Sequence, residues 1–288
     1  MDTRFWKLSR RSLPFGGGRT LVMGVLNVTP DSFSDGGQFL DPRRAVERAR
    51  ELVEEGADIV DVGGESTRPG GERVGIEEEI RRVVPVVEAL AGSIGVPVSV
   101  DTTKAVVARA ALGAGAEIVN DISALRFDSA LADEAARAGA GLILMHSRGT
   151  PETLHALEPV ADIMSEVTSS LRRSVEEAGR RGVARESLAV DPGIGFGKSP
   201  EQNVELVARL GALAESFSDF PLLVGTSRKS FIGRLLGGAH VSERLHGTMA
   251  TVTAAVLYGA HIVRVHDVRA AIQTARVAEA LRAVNRQP

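Results

Sequence analysis

Leu188-Ala189-Val190-Asp191-Pro192-Gly193-Ile194-Gly195-Phe196-Gly197-Lys198-Ser199 is the stretch on which the fold is decided: three apolar residues run straight into a carboxylate and then a glycine-rich loop. The apolar run is too short for a helix and is stopped by Pro192 and Gly193, which fits a strand of a parallel sheet buried on both faces. Asp191 then stands at the C-terminal end of that strand. In parallel α/β folds this edge binds ligands, because the loops leaving it vary while the strands fix their roots. The spacing argues against a phosphate-binding P-loop. Gly193 to Ser199 reads Gly-x-x-x-Gly-Lys-Ser, one residue short, with Pro192 where the first glycine belongs.

Working outward, the same unit recurs: a short apolar strand ending in a polar residue, a loop, then an amphipathic helix. The pattern predicts strands over Leu21–Asn27, Asp58–Val62, Pro97–Asp101, Glu117–Asp121, Gly141–His146, Leu188–Asp191, Pro221–Gly225 and His261–His266. Helical periodicity fills Pro42–Glu55, Ile76–Ala91, Lys104–Ala114, Ser129–Ala138, Val160–Arg181, Pro200–Ala214, Ser242–Tyr258 and Val268–Val284. Asp41-Pro42 and Ser199-Pro200 each place a capping residue before a proline at the first helical position. Strand-helix units of this number in roughly 250 residues match a single closed (β/α)8 TIM barrel. Periodicity does not show closure, so an open doubly wound sheet is the alternative. No linker-like stretch appears, and residues 21–288 are expected to form one barrel domain. Residues 1–20, with Pro14 and Gly16-Gly17-Gly18, read as an irregular or hairpin lead-in segment.

Composition narrows the chemistry. In 288 residues, 34 basic and 37 acidic side chains leave a net charge of −3, which gives no general attraction to nucleic acid or to an anionic membrane. Any anion site must be local. The chain has no cysteine, so disulfides, thiolate metal sites and cysteine nucleophiles are excluded, and its six histidines lack the spacing of a histidine-built zinc site. No signal-peptide pattern and no apolar run of membrane-spanning length is seen, so a cytoplasmic protein is expected.

The polar residues at or just past the strand ends are Asn27, Asp61, Asp101, Asn120, His146, Asp191, Ser227 and His266. Side chains alternate along a strand, so Asp101 shares a face with Ser99, Asp191 with Ala189, and Arg264 with His266. A carboxylate above a small neighbour leaves room for a ligand. Asp101, Asn120 and Asp191 together suit a flat heterocycle carrying ring nitrogens and an amino group. Asn27, Arg264 and His266 are expected on the opposite wall, around an anion, aided by the N-terminus of the last helix. Gly225-Thr226-Ser227-Arg228-Lys229-Ser230 follows the seventh strand, where barrels commonly bind phosphate or carboxylate groups. Two glycine-rich loops, Val28–Gly37 with Phe33 and Gly63–Gly71 with Thr67 and Arg68, have the make-up of mobile covers.

With these residues in place, the chain resembles the dihydropteroate synthase family along nearly its full length. The resemblance is carried, in the family's order, by Asn27-Val-Thr-Pro-Asp-Ser-Phe-Ser-Asp-Gly-Gly37, Gly64-Glu-Ser-Thr-Arg-Pro-Gly70, Asn120-Asp-Ile-Ser123, Asp191-Pro-Gly-Ile-Gly-Phe-Gly-Lys198, Ser227-Arg-Lys-Ser230 and Arg264-Val-His-Asp267. It implies condensation of dihydropterin-methyl diphosphate with 4-aminobenzoate, releasing diphosphate. Carried over, Asp101, Asn120, Asp191 and Lys229 hold the pterin, with Met145 lining the pocket and Arg264 stacking on the ring. Asn27, Arg264 and His266 bind the diphosphate, Gly225 and Ser227 belong to the substrate-binding turn, and Asn27 also meets Mg2+. Thr67, Arg68, Phe196 and Ser230 shape the aminobenzoate site, and the family suggests a homodimer. A diphosphate that departs first needs no enzyme nucleophile, which agrees with a chain lacking cysteine and any nucleophile elbow. The alternatives are a pterin-dependent methyltransferase of similar fold, which need not keep the two anion motifs, and a non-catalytic pterin-binding paralogue. The chain departs from the family at Ser147 and in Leu245-His-Gly-Thr248.

Overall fold

The apolar alternation of the strands is satisfied by closure. The computed structural model describes residues 3–29, 42–65, 74–150, 153 and 157–285. Within them the chain opens with an antiparallel hairpin of β1 (Arg4–Lys7) and β2 (Ser12–Phe15). Then come β3 (Leu21–Asn27), α1 (Pro42–Glu54), β4 (Ile59–Gly63), α2 (Ile76–Ala91), β5 (Val98–Asp101), α3 (Ala105–Ala114), β6 (Ile118–Asp121), α4 (Ala130–Ala138) and β7 (Gly141–Met145). The second half holds α5 (Ile163–Arg180), β8 (Leu188–Asp191), α6 (Pro200–Ala208), α7 (Leu210–Ser216), β9 (Leu223–Val224), α8 (Ser230–Leu235), α9 (Leu245–Leu257), β10 (Ile262–Val265) and α10 (Val268–Asn285). Among the described residues β3 to β10 form an eight-stranded parallel sheet in the order β8-β7-β6-β5-β4-β3-β10-β9. A parallel bridge between Val190 and Leu222 joins its two ends, which makes the sheet a barrel and removes the open alternative.

Differences from the expected bounds have local causes. The fifth large helix begins at Ile163 because the Asp162 side chain caps it, accepting from Ser165 N at 3.0 Å. The helix expected over Pro200–Ala214 is divided at Arg209, which leaves helical geometry between α6 and α7. Its start keeps the expected device: Ser199 and Gln202 form a reciprocal capping box ahead of Pro200. Asp41, expected as the cap of α1, lies outside the described residues.

Two-residue alternation splits the inner face of the barrel into a dry lower part and a polar upper part. Met23, Ile59, Ile118, Ile143, Ala189, Leu223 and Ile262 form the lower part. One step further along the same strands stand Asp61, Asn120, Met145, Asp191, Gly225 and Arg264. The hairpin closes the bottom: Trp6, Leu8 and Phe15 join this lower cluster, and the Trp6 indole N–H donates to Ser187 O at 2.8 Å. Gly141 lets it come that close, since a Cβ there would meet Leu8 at 2.5 Å and Trp6 at 2.9 Å. The lead-in segment is therefore the floor of the barrel, a role with no signal in its own composition.

Trp6 is fully buried. Trp6→Ala is expected to lower unfolding free energy by about 3–5 kcal/mol, the cost of a large aromatic cavity, measured by urea titration. A loss below about 1 kcal/mol would mean the hairpin is only draped over the barrel end.

Candidate active site

The upper inner residues meet at the C-terminal mouth. Asp101 and Asn120 are register partners on β5 and β6, and Asp61 and Ser99 on β4 and β5. Arg264 reaches across from β10. Its Nε donates to Asp61 Oδ2 at 2.6 Å and its Nη2 to Asp101 Oδ2 at 2.7 Å, while Asn120 Nδ2 donates to the same Asp61 oxygen at 3.0 Å. Arg264 thus does not stand apart with Asn27 and His266, as alternation alone suggested; its guanidinium lies between two carboxylates of the acidic wall. Asn27 Oδ1 and Asp101 Oδ2 lie beside Gly63, 3.9 and 3.8 Å from where its Cβ would be. A side chain at Gly63 would occupy the space those two atoms face.

On the other side Asp191 accepts from Gly193 N at 2.7 Å, and Lys229 donates to Ile194 O while its ammonium lies 4.6 Å from the centre of the Phe196 ring. Gly225, at the end of β9, leaves room there: its Cβ would be 3.9 Å from Lys229 Nζ and 3.7 Å from Arg264 Cβ. Met145 is buried at the end of β7, paired in register with Asp191. Ser227 Oγ lies 3.0 Å from His266 Nδ1 and accepts from His266 N at 3.2 Å, so the turn after β9 and the end of β10 are stitched together. Ser230 is exposed at the start of α8. Thr67, Arg68 and Phe33, and most of the two loops that carry them, lie outside the described residues.

Burial sets the protonation of this wall. It pushes Asp101 up to about 7, against the pull of Arg264 and with further upward pressure from Asp61, Glu79 and Asp121. Asp191 is also raised by burial, opposed by Lys229, the Gly193 N–H, Lys198 and Arg264. Lys229 is brought down to about 8 by burial, Asp191 working to keep the proton and Arg264 to remove it. Arg264 is buried too, which works against its charge, but Asp61 and Asp101 more than compensate and hold it above the usual arginine range.

Two further groups shape the site without standing in it. Lys198 donates to three backbone carbonyls, Gly193 at 2.7 Å, Phe196 at 3.0 Å and His146 at 3.3 Å, and so ties the loop after β8 to the end of β7. Gly193, Gly195 and Gly197 all have positive φ, and a Cβ on Gly193 would overlap the His146 carbonyl oxygen. His146 itself, counted by sequence among the rim groups, is buried on the outer face of β7, and burial next to Lys198, Arg126, Arg148 and Arg173 drives it down to about 2. It is a neutral packing group. Lys104 grips both flanks of the second loop, bonding Glu65 at 2.5 Å and Val74 O at 2.9 Å together with the buried Glu79. Only the cationic side chain at the head of a helix hinted at this. The two departures from family pattern have structural tasks: Ser147 Oγ accepts from Arg126 at 2.8 Å and Thr248 Oγ1 from Arg228 N at 3.1 Å.

Fold and site together define a (β/α)8-barrel protein with a cup lined by carboxylates, an amide and cations at its C-terminal mouth. The family model described as pterin binding enzyme matches residues 23–266. The dihydropteroate synthase of Synechocystis is 48% identical over 265 residues, 92% of this chain and 91% of its own. The solved Xanthomonas albilineans dihydropteroate synthase with 4-aminobenzoic acid aligns with a TM-score of 0.89 at 40% identity and covers 100% of both chains. The Yersinia pestis dihydropteroate synthase with a sulfonamide drug aligns with a TM-score of 0.89 at 40% identity, covering 97% of this chain and 100% of its own. The chain belongs to the pterin-binding enzymes and, among them, to the dihydropteroate synthases, transferases of folate biosynthesis.

Lys198→Met removes a donor from three carbonyls, of which Gly193 O keeps the Phe196 N–H at 3.1 Å. An expected loss of about 1–3 kcal/mol in unfolding free energy is checked by urea titration, and an unchanged value would show that solvent replaces the ammonium without cost.

Proposed function

We propose that the cup condenses (7,8-dihydropterin-6-yl)methyl diphosphate with 4-aminobenzoate to give 7,8-dihydropteroate and diphosphate. The observation that carries this is the gathering of Asp101, Asn120, Arg264, Asp191 and Lys229 on one barrel mouth, a donor and acceptor set for a bicyclic heterocycle with an amino group. In this reading Asp191 and Asn120 receive the pterin edge, Asp101 and Lys229 bond its remaining heteroatoms, Met145 packs on it, and Arg264 stacks over the ring. Ser227, His266 and Asn27 meet the diphosphate, and Gly225 leaves space for it. The 4-aminobenzoic acid present in the Xanthomonas albilineans enzyme supports an aminobenzoate site formed by Phe196, Ser230, Thr67 and Arg68.

The chemistry follows from charge. Cations near the diphosphate stabilise the negative charge that develops as the C–O bond to the methylene breaks, and the ring carries the positive charge left behind. The arylamine then forms the C–N bond and gives up its proton. No enzyme nucleophile is required. Among the described residues no three His, Asp or Glu side chains gather into a metal cage. Mg2+ suits a different arrangement, with the substrate phosphates and water supplying most ligands and the amide oxygen of Asn27 one more. Bound there, it would supply charge neutralisation of the leaving group. The intact Ser227-Arg-Lys-Ser230 and Arg264-Val-His-Asp267 motifs favour this reading over a methyltransferase, which has no diphosphate to hold.

Further parts of the reading concern the whole molecule. Residues 21–288 are taken as the catalytic barrel domain, with 1–20 as a lead-in segment, working in the cytoplasm. A homodimer is supported by the apolar face of α10, where Val277, Leu281 and Val284 recur at helical spacing in the open. Among the described residues no helix is long and apolar enough to cross a membrane.

Incubation with both substrates and magnesium is expected to yield dihydropteroate, and pterin binding without product would favour a non-catalytic paralogue. Lys229→Ala should cost at least tenfold in turnover, about 1.4 kcal/mol of transition-state stabilisation. Because Lys229 is charged below about 8 and neutral above, kcat/KM should fall as pH rises through that value, well before a solvated lysine would titrate. A flat profile to pH 10 would remove Lys229 from the reaction. For assembly, Leu281→Asp should convert a dimer to a monomer in sedimentation velocity, and a wild-type monomer would refute the dimer.

A further inference from the structure

We infer that Asp61 is a positioning residue for the pterin half of the site, holding Arg264 and the Asn120 amide in the orientations from which they meet the heterocycle. The inference rests on the reading above and adds a residue to it. Asp61 is 0% exposed and lies below Asp101 on the inner face of the barrel, so it reaches ligand only through others. Its Oδ2 accepts from both Arg264 Nε and Asn120 Nδ2. Each bond removes a freedom that matters. An arginine held through Nε has its guanidinium plane fixed, while the Nη groups at the far end stay available to Asp101 and to ligand. An asparagine that spends one N–H on a carboxylate has its amide orientation decided, and with it which atoms face the cup.

Two further atoms support an arrangement built around charge. Asp61 Oδ1 and Ser99 Oγ, from register partners, are both buried with no hydrogen-bond partner among the described residues. A buried carboxylate oxygen left without a donor is costly, and a neighbouring cation offsets that cost. Arg264 is the cation it faces. The pairing also explains how Asp101 can turn to substrate. If Asp101 were the only counter-ion of Arg264, binding a heterocycle there would strand a buried guanidinium; with Asp61 retained, Arg264 stays paired throughout.

The test separates this from the function itself. With wild-type protein confirmed to make dihydropteroate, Asp61→Ala is expected to raise KM for the pterin diphosphate at least tenfold while KM for 4-aminobenzoate stays within twofold. Asp61→Asn, which keeps an oxygen for both donors but not the charge, should recover part of the loss. Wild-type KM values in Asp61→Ala, or equal rises for both substrates, would overturn the positioning role, whereas absence of product from the wild type would overturn only the proposed function. Should the alanine variant fail to fold, NMR on the wild type decides. A slowly exchanging Arg264 Nε–H signal that persists on addition of pterin supports the anchor, and its loss on addition refutes it.

Discussion

A guanidinium shared between the fully buried Asp61 and the half-buried Asp101 is the constraint around which the upper barrel is arranged. Arg264 cannot lie inside a barrel without counter-charge, and neither Asp61 nor Asp101 can be ionised there without a cation. Each is placed by a different strand: β10, β4 and β5. The bridge therefore depends on the curvature of the sheet, which brings β10 within reach of β4 and β5 across the intervening β3. Below the ion pairs the interior is filled by isoleucine, leucine and methionine and sealed by Trp6 of the hairpin, so water has no route from beneath and the charges keep the low-dielectric surroundings that shift Asp101 and Lys229.

The second half of the cup is built on backbone rather than on paired side chains. Between Asp191 and Ser199 three glycines take left-handed conformations, and the Gly193 and Phe196 carbonyls of this loop point to one ammonium, that of Lys198. The loop's other products face the cup: the Gly193 N–H on Asp191, the Ile194 carbonyl on Lys229 and the Phe196 ring beside the same lysine. One lysine is used as a strut so that a second can act. This division accounts for two buried lysines in a site whose substrates carry negative charge, since a repulsive pair is tolerable where one member is saturated with carbonyl oxygens.

The barrel was legible because its signal is repeated and local: each strand carries its own apolar run, and each unit its own turn or cap. The acidic wall was legible too, because Asp101, Asn120 and Asp191 stand at or next to the ends of their strands, at positions where period-two alternation turns them inward. What stayed hidden is what depends on partners far apart in sequence. Arg264 was expected opposite the carboxylates, and only its contact with Asp61, 203 positions away, shows otherwise. His146 looked like a rim group because it follows β7 directly, but Met145 takes the inward direction and alternation sends His146 outward. Trp6 had no periodic pattern around it, and its task depends on the absence of a side chain at Gly141.

Glycine at several positions around the site is set by space rather than by a bonding partner. Gly63, Gly141, Gly193 and Gly225 each adjoin a strand end or start, where a Cβ would enter the cup, the floor or a neighbouring backbone. Ser147 and Thr248 depart from the family pattern, but they sit beside the site and satisfy a local donor, a task several polar residues can perform. At Gly141 and Gly193, where a Cβ would collide with a neighbour, the position admits glycine alone; a position defined by an acceptor admits several. The cup is specified by both kinds: glycines hold open the approach of backbone at its rim, and the Asp61-Arg264-Asp101 bridge fixes the guanidinium between two acids.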